Sequence, residues 1–298
     1  MENIKRGLNI YLYYWTIPIL FLFIIINYYT RNIKLEALDI GLMISIVSFL
    51  FGFLITITFS MLLSKVSSLK ENLANETGRL VSLFLLSKHL GKKFSEIIKQ
   101  RIDSYTINTL RDYTNYDVSR EHFYGIYEDI KEIEINNVKQ ESAAHSFLYV
   151  LGELATIREK LEYLTSRRVE KPLKIANYVL GILLIILLFL NRGDTFTNSI
   201  FVILSTIIIF IFLIIEDFDN LKIGDYTYNI SNSEQIFDLI EKERYYPQEI
   251  LSRAILIPGN KYRIEIFDKK SKKEKIHLIQ YTPSFKRKIV FLSKRHKS

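Results

Sequence analysis

Six small or hydroxyl-bearing residues, Gly41, Ser45, Ser48, Gly52, Thr56 and Ser60, recur at steps of 4, 3, 4, 4 and 4. That spacing puts them on one stripe of a helix. Beside them Phe49, Phe53 and Ile57 recur at every fourth position. Both stripes lie inside Ile40–Leu63, an apolar stretch without a charged residue. Two readings are open. Small residues let helix backbones approach closely in lipid. Alternatively, one stripe lines a pore: an apolar ring gates by dewetting, and hydroxyls with the positive edges of aromatic rings tolerate an anion without a fixed charge. The pore-lining candidates are Ser45, Phe49, Phe53, Thr56 and Ile57.

A second constellation is acidic. Glu216, Asp217 and Asp219 follow directly on another apolar run. Carboxylates at a helix C-terminus oppose its dipole, at a cost of about 0.3–1 kcal/mol each. Arg158, Arg167, Arg168 and Lys171 are the expected compensating partners. A salt-bridged structural role is expected ahead of Ca²⁺ ligation, for which three carboxylates alone are thin grounds; no metal is assigned.

Other chemistry is not encoded. The five histidines, His89, His122, His145, His277 and His296, are never closer than 19 residues, so no helix-borne metal pair exists. Cysteine is absent. No Gly-rich phosphate loop, nucleophile elbow or kinase signature occurs. The apolar runs contain no internal Lys, Arg, Asp, Glu or His, whereas an intramembrane ionisable group is the usual mark of a proton or ion relay. The chain is therefore expected to be no enzyme, to need no cofactor and to be no proton-coupled pump.

These residues need elements to position them, and the apolar runs supply those. Four exist: Ile10–Tyr29, Ile40–Leu63, Ile175–Leu190 and Thr195–Ile215. A helix crosses a roughly 30 Å hydrocarbon core with about 20 apolar residues, and each run approaches or reaches that length. The first is too long for a signal-peptide apolar region and lacks a small-residue cleavage site, so it reads as a retained anchor. Charged residues make up 24% of the chain, which fits a protein that is part bilayer-soluble and part aqueous. Lys5, Arg6, Lys65, Lys70, Arg167, Arg168, Lys171 and Lys174 flank one side. The short opposite loops offer Arg31, Lys34 and Arg192. The positive-inside rule then predicts a multi-pass protein of the cell (inner) membrane with N- and C-termini and the central region cytoplasmic. Membrane lipids are partners by necessity; no nucleic acid partner is expected.

Between the pairs, no proline occurs from Pro18 to Pro172, so helices can continue out of the membrane unbroken. Ser64–Leu90 extends the second run, Gly91 punctuates, and Lys92–Tyr113 forms a further helix. Tyr113–Arg120 reads as a loop. Val150, Leu154, Ile157, Leu161 and Leu164 form a seam of period 3.5, packed within the subunit or between subunits. Pro172 allows a break before the third run. After the fourth, Tyr226–Ile230 reads as extended and Glu234–Glu243 as a short amphipathic helix. The net charge of +8 is concentrated at the end: residues 250–298 hold 14 Lys/Arg against 3 Asp/Glu, leaving the remainder slightly acidic. That tail is β-rich, with strands expected at Tyr262–Phe267, Lys275–Tyr281 and Lys288–Leu292. The expected fold is an all-α membrane protein: four transmembrane helices, a helical cytoplasmic domain between the second and third, and a small C-terminal β element. The expected divisions are 1–63, 64–174, 175–215, 216–247 and 248–298.

This arrangement resembles the bestrophin-like family of four-span membrane proteins. That family's pattern after the last span reads roughly Asp-Leu-Asp-x-Pro-Phe-x-Gly, then an apolar segment and a short helix. Asp217, Phe218, Asp219 and Gly224 stand at those spacings, with Ile230 and Ile236–Leu239 after them. Leu221 and Lys222 replace the Pro-Phe pair. The Arg158–Arg168 approach to the third span and the Glu76–Leu80 stretch are also similar, and the resemblance covers about residues 10–240. It implies kinship with bestrophins, pentameric anion channels whose pore forms around the second span. Their apolar neck uses every fourth position, which Phe49, Phe53 and Ile57 would match. It further implies self-association into a homo-oligomer, a pentamer, that passes chloride or other small anions. Glu216, Asp217, Asp219 and Gly224 form the membrane-exit acidic motif, and its Glu216–Asp219 part occupies a place similar to the family's calcium clasp, on a match too short to transfer calcium binding. The contrasting expectation is a non-conducting membrane scaffold or sensor, whose helical domain and basic tail bind a partner.

Overall fold

The computed structural model describes residues 10–30, 40–111, 117–220, 225–247, 251, 256–268 and 273–282. Among them are eight helices: α1 (Ile10–Tyr29), α2 (Ile40–Leu90), α3 (Lys92–Arg111), α4 (Asp117–Lys131), α5 (Val138–Ser166), α6 (Lys171–Leu190), α7 (Thr195–Asp219) and α8 (Asp225–Leu239). Three strands follow: β1 (Tyr245–Tyr246), β2 (Lys261–Asp268) and β3 (Lys273–Gln280). The chain divides into two compact units, residues 1–68 with 167–225, and residues 69–166 with 226–298.

Among the described residues, three helical stretches are long and apolar enough to cross a membrane: α2, Val138–Leu190 through its α6 portion, and α7. The apolar stretch of α1, Trp15–Tyr29, is shorter. α1 ends in the exposed pair Tyr28 and Tyr29, the residue type that anchors a helix at a membrane interface.

In the first unit α1 and α6 both pack on α7. Aromatic edges join them: Phe23 and Phe189 each meet Phe201 at 5.7 Å, and Phe212 meets Tyr178 at 4.8 Å and Phe51 at 6.1 Å. Two polar clamps interrupt this apolar core. Asn177 of α6 donates through Nδ2 to Thr58 Oγ1 of α2 at 2.6 Å. Arg192, in the turn after α6, donates to Asn27 Oδ1 at 3.2 Å and Thr30 Oγ1 at 2.7 Å, closing that turn onto the end of α1. α7 starts with a reciprocal cap, in which Asp194 Oδ1 accepts from the Thr197 amide at 2.7 Å and the Thr197 hydroxyl accepts from the Asp194 amide. Such a cap satisfies donors that the first turn otherwise leaves open.

Gly181 and Gly52 separate close packing from open surface. A Cβ at Gly181 would lie 2.2 Å from Phe212 Cζ, whereas one at Gly52 meets nothing within 4 Å. Gly181→Ala is therefore expected to cost about 1–3 kcal/mol by overpacking, read as a lowered Tm. Gly52→Ala should not lower Tm, since alanine favours helix over glycine. A loss at Gly52 would mean that its face is packed against another helix.

The second unit contains α3, α4, α5, α8, the sheet and residues 69–90 of α2. Gly91 separates α2 from α3 at φ +126°, a conformation that glycine adopts without strain. Pro172 opens α6 in its first turn, as the break before the third run predicts. Val150, Leu154, Ile157 and Leu161 are buried within the chain, so the period-3.5 seam packs inside the subunit.

Three expectations are corrected. Tyr226–Ile230 belongs to α8 rather than to an extended segment; Ile230, Ser233, Phe237 and Ile240 are buried at helical spacing. The loop expected to reach Arg120 gives way to α4 at Asp117, whose Phe123 and Ile126 are buried in the core. A strand unforeseen in the sequence, β1, pairs in parallel with β2, which pairs antiparallel with β3. The β-run Lys288–Leu292 lies outside the described residues.

The described part of the tail is built into the second unit rather than hung from it. Arg263 of β2 makes a two-pronged pair with Asp103 of α3 at 2.6 and 2.7 Å. Arg111 of α3 pairs with Glu265, which also accepts from the Tyr245 hydroxyl. Tyr245, Tyr246, Tyr262 and Ile264 are fully buried.

Candidate conduction face and the acidic helix exit

Within the membrane stretch, α2 has two unlike faces. Val47, Phe51, Ile55, Thr58 and Leu62 are buried against the first unit. Ser45, Phe49, Phe53, Thr56 and Ile57 all fall on the uncovered side, with Phe49 73%, Phe53 58% and Ile57 36% exposed. The five pore-lining candidates therefore share a surface left uncovered among the described residues. Gly52 and Ser60 share it too. Among the described residues nothing lies within 4 Å of a Cβ placed at Gly52, so at that point the small-residue stripe is open rather than packed.

The hydroxyls on this face are less available than their residue types suggest. Ser45 Oγ donates to Gly41 O at 2.9 Å and Thr56 Oγ1 to Gly52 O at 2.8 Å. A hydroxyl has one proton to donate, and both are committed to the backbone, so they turn lone pairs outward. The aromatic edges of Phe49 and Phe53 then remain as the electropositive feature of this face.

The acidic exit is built by α7, α6, α2 and the 167–170 link. α7 runs past Ile215 to Asp219, and Asn220 closes it by donating its backbone N–H to Glu216 O. Asp219 is only 2% exposed. Its Oδ1 accepts from the Val169 amide at 2.7 Å and its Oδ2 from Lys174 Nζ at 3.1 Å. Its backbone carbonyl accepts from Arg168 at 2.5 Å and Lys65 Nζ at 3.2 Å. Glu216, one turn earlier, pairs with Lys174 at 2.7 Å and accepts from the Tyr178 hydroxyl. Three cations thus surround the negative end of α7, which is where a helix dipole favours them.

The compensation expected for these acids exists, but its members differ. Arg168 takes part through its side chain; Arg167 contributes its carbonyl, which accepts from Lys65 at 2.6 Å. Lys171 is exposed. Arg158 lies in the second unit, over the Tyr105 and Phe123 rings. Lys65 and Lys174 carry the load, and as sequence they register only as topology charges. A usable signal existed: Glu216 and Asp219 are three apart and Lys174 and Tyr178 four apart, so each pair shares a helix face. Asp217 falls off that face and is half-buried; Gly224 lies outside the described residues.

A divalent cation does not fit this exit. Both oxygens of Asp219 already accept hydrogen bonds, and the Lys174 ammonium lies within 3.1 Å of both Asp219 and Glu216, the place a dication would need. Among the described residues no group of three or more His, Asp or Glu is disposed to hold a metal ion.

Helices of this order and packing define a membrane protein of bestrophin-like fold. Two point-mutant crystal structures of a bacterial bestrophin homologue from Klebsiella pneumoniae match with TM-scores of 0.53 and 0.53 at 13% and 14% identity. They cover 78% and 80% of this chain and 99% and 100% of theirs. A structure of that homologue phased with zinc gives 0.51 at 14% identity, over 78% of this chain and 99% of its own. No protein-family model matches the sequence, and no curated protein matches it. At such identities the likeness speaks for the fold, and the roles of individual residues rest on their own geometry.

Proposed function

We propose that this chain is one subunit of a homo-oligomeric, pentameric channel of the cell (inner) membrane, permeable to chloride and other small anions. In this reading α1, α2, α6 and α7 all cross the bilayer, both termini are cytoplasmic, and α2 lines the conduction path with Phe49, Phe53 and Ile57 at its narrowest part. One observation carries the reading: the candidate residues share an α2 face that is largely apolar, regularly spaced and uncovered among the described residues. Lipid could cover such a face, but lipid contact does not require Phe49, Phe53 and Ile57 to repeat at every fourth position beside glycine and hydroxyls. A ring of subunits turns that stripe into stacked constrictions. The bestrophin-like fold supports the same assembly.

Purified protein in liposomes is expected to pass chloride, and its mass in mild detergent to be that of a pentamer. Clean reconstitution without flux would sink the channel. An intact oligomer without flux would favour the partner-binding scaffold. Removing 248–298 would not isolate that alternative, because it takes β2 out of the core. Removing 283–298 leaves every described strand in place and is the better deletion.

A further inference from the structure

Glu76 is a carboxylic acid in the interior of the second unit, 6% exposed. It belongs to the face of α2 that buries Leu69, Leu73, Leu80 and Leu83. From α3, the Tyr105 hydroxyl donates to Glu76 Oε1. From α5, the Arg158 guanidinium acts on it through space, held 5.1 Å above the Tyr105 ring and 4.6 Å above the Phe123 ring of α4. On α2 itself, the neighbouring cation Arg79 is engaged with Glu153 of α5 at 3.2 Å. Three elements thus meet around one buried acid, and each of α3 and α5 presents it with a polar group.

The two charge states of that acid cannot pack alike. As a carboxylate, Glu76 draws both the Tyr105 hydroxyl and the Arg158 guanidinium, tying α2 to α3 and α5. As a neutral acid it keeps a hydrogen bond with Tyr105, but the attraction to Arg158 is lost. Burial favours the neutral form, while Tyr105 and Arg158 favour the ion. Burial is the largest influence, and the acid is pushed up to about 7, so neither state dominates near neutrality.

We propose that the Glu76–Tyr105–Arg158 junction is a proton-operated device that couples ambient pH to the packing of α2 against α3 and α5. α2 is one uninterrupted helix from Ile40 to Leu90, so the same element carries the junction and the candidate conduction face. The consequence for ion flow rests on the channel reading; the proton-dependent packing does not.

The sign follows from linkage. The fold holds this proton more tightly than the unfolded chain, whose carboxyl titrates near 4.5. The contribution of Glu76 to stability is therefore fully present below that value and is lost as pH rises through about 7.

The test uses the full chain in lipid nanodiscs between about pH 5.5 and 8.5. Infrared difference spectra should show a protonated-carboxyl band that disappears near neutrality and is missing in Glu76→Gln. Amide exchange over 69–90 and 94–110 should change several-fold across the same midpoint in the native chain and stay flat in Glu76→Gln. Tyr105→Phe removes one group that favours the ion, so it should move the midpoint to higher pH; it serves as the reporter if Glu76→Gln does not fold. Absence of a neutral titration assignable to Glu76 overturns the proposal. So does a titration that leaves exchange unchanged, or a Tyr105→Phe midpoint that stays in place. Chloride flux measured in parallel should follow the same midpoint. A junction that titrates and repacks in a protein without flux would sink the channel reading alone.

Discussion

Liposomes carrying the double variant Phe49→Ala, Phe53→Ala are expected to pass chloride at least about tenfold faster than those carrying the native chain, a barrier change of about 1.4 kcal/mol. Both rings project from the uncovered face of α2, one turn apart. In a ring of subunits each level would be a belt of aromatic side chains, where dewetting sets the barrier. Truncation to methyl groups widens both levels and admits water. The variant is a clean one, because neither ring belongs to the buried core of its chain; Tm should stay within a degree or two. Thr56→Val is the contrasting control. Its hydroxyl proton is already given to Gly52 O, so its removal should alter flux less than the aromatic pair. If the double variant leaves flux unchanged in a protein that does conduct, the pore lies elsewhere and this face meets lipid or another helix.

How much of this was legible depended on the range of the interaction involved. The bounds of α1 and the start of α2 and α7 follow from uninterrupted apolar runs, because a bilayer-length helix is dictated by local composition alone. The shared face of Phe49, Phe53 and Ile57 was equally readable, since helix periodicity fixes it; only exposure, which depends on what packs opposite, needed coordinates. The acidic exit was half legible. Its oddity is local, three acids where the dipole resists them, but Lys65 and Lys174 reach Asp219 from 154 and 45 positions away. No spacing rule links such residues. Likewise β1 is two residues long and pairs on the edge that β2 offers; tyrosine favours strands, but two residues are too short a run to be read as one. The burial of Glu76 went unread for a different reason. An acid among leucines at i−3 and i+4 was visible, but its burial depends on Tyr105 and Arg158 arriving from two other helices.

Asp219→Ala is expected to lower stability by about 3–5 kcal/mol, the usual consequence of removing one partner from a buried ionic network. The loss divides unevenly among the groups left behind. Lys174 keeps Glu216 at 2.7 Å, so its charge is not orphaned. The Val169 amide has no such reserve: Asp219 Oδ1 is its acceptor, and a buried donor stripped of its acceptor costs about 1–3 kcal/mol by itself. Asp219→Asn should therefore be milder, about 1–2 kcal/mol, because the amide oxygen can still accept from Val169 while the charge toward Lys174 is gone. The order Ala worse than Asn, read from Tm in detergent, identifies the backbone clasp as the main role of this acid. Equal losses would mean that charge alone matters. Lys174→Met should fall between them, since it leaves two acids at the end of a helix whose dipole already opposes them. Added calcium should leave the native Tm unchanged, because the ammonium already fills the gap between Glu216 and Asp219. In Lys174→Met that gap opens with both carboxylates facing it, and a calcium-dependent rise in Tm there alone would show that a lysine stands where a dication could otherwise bind.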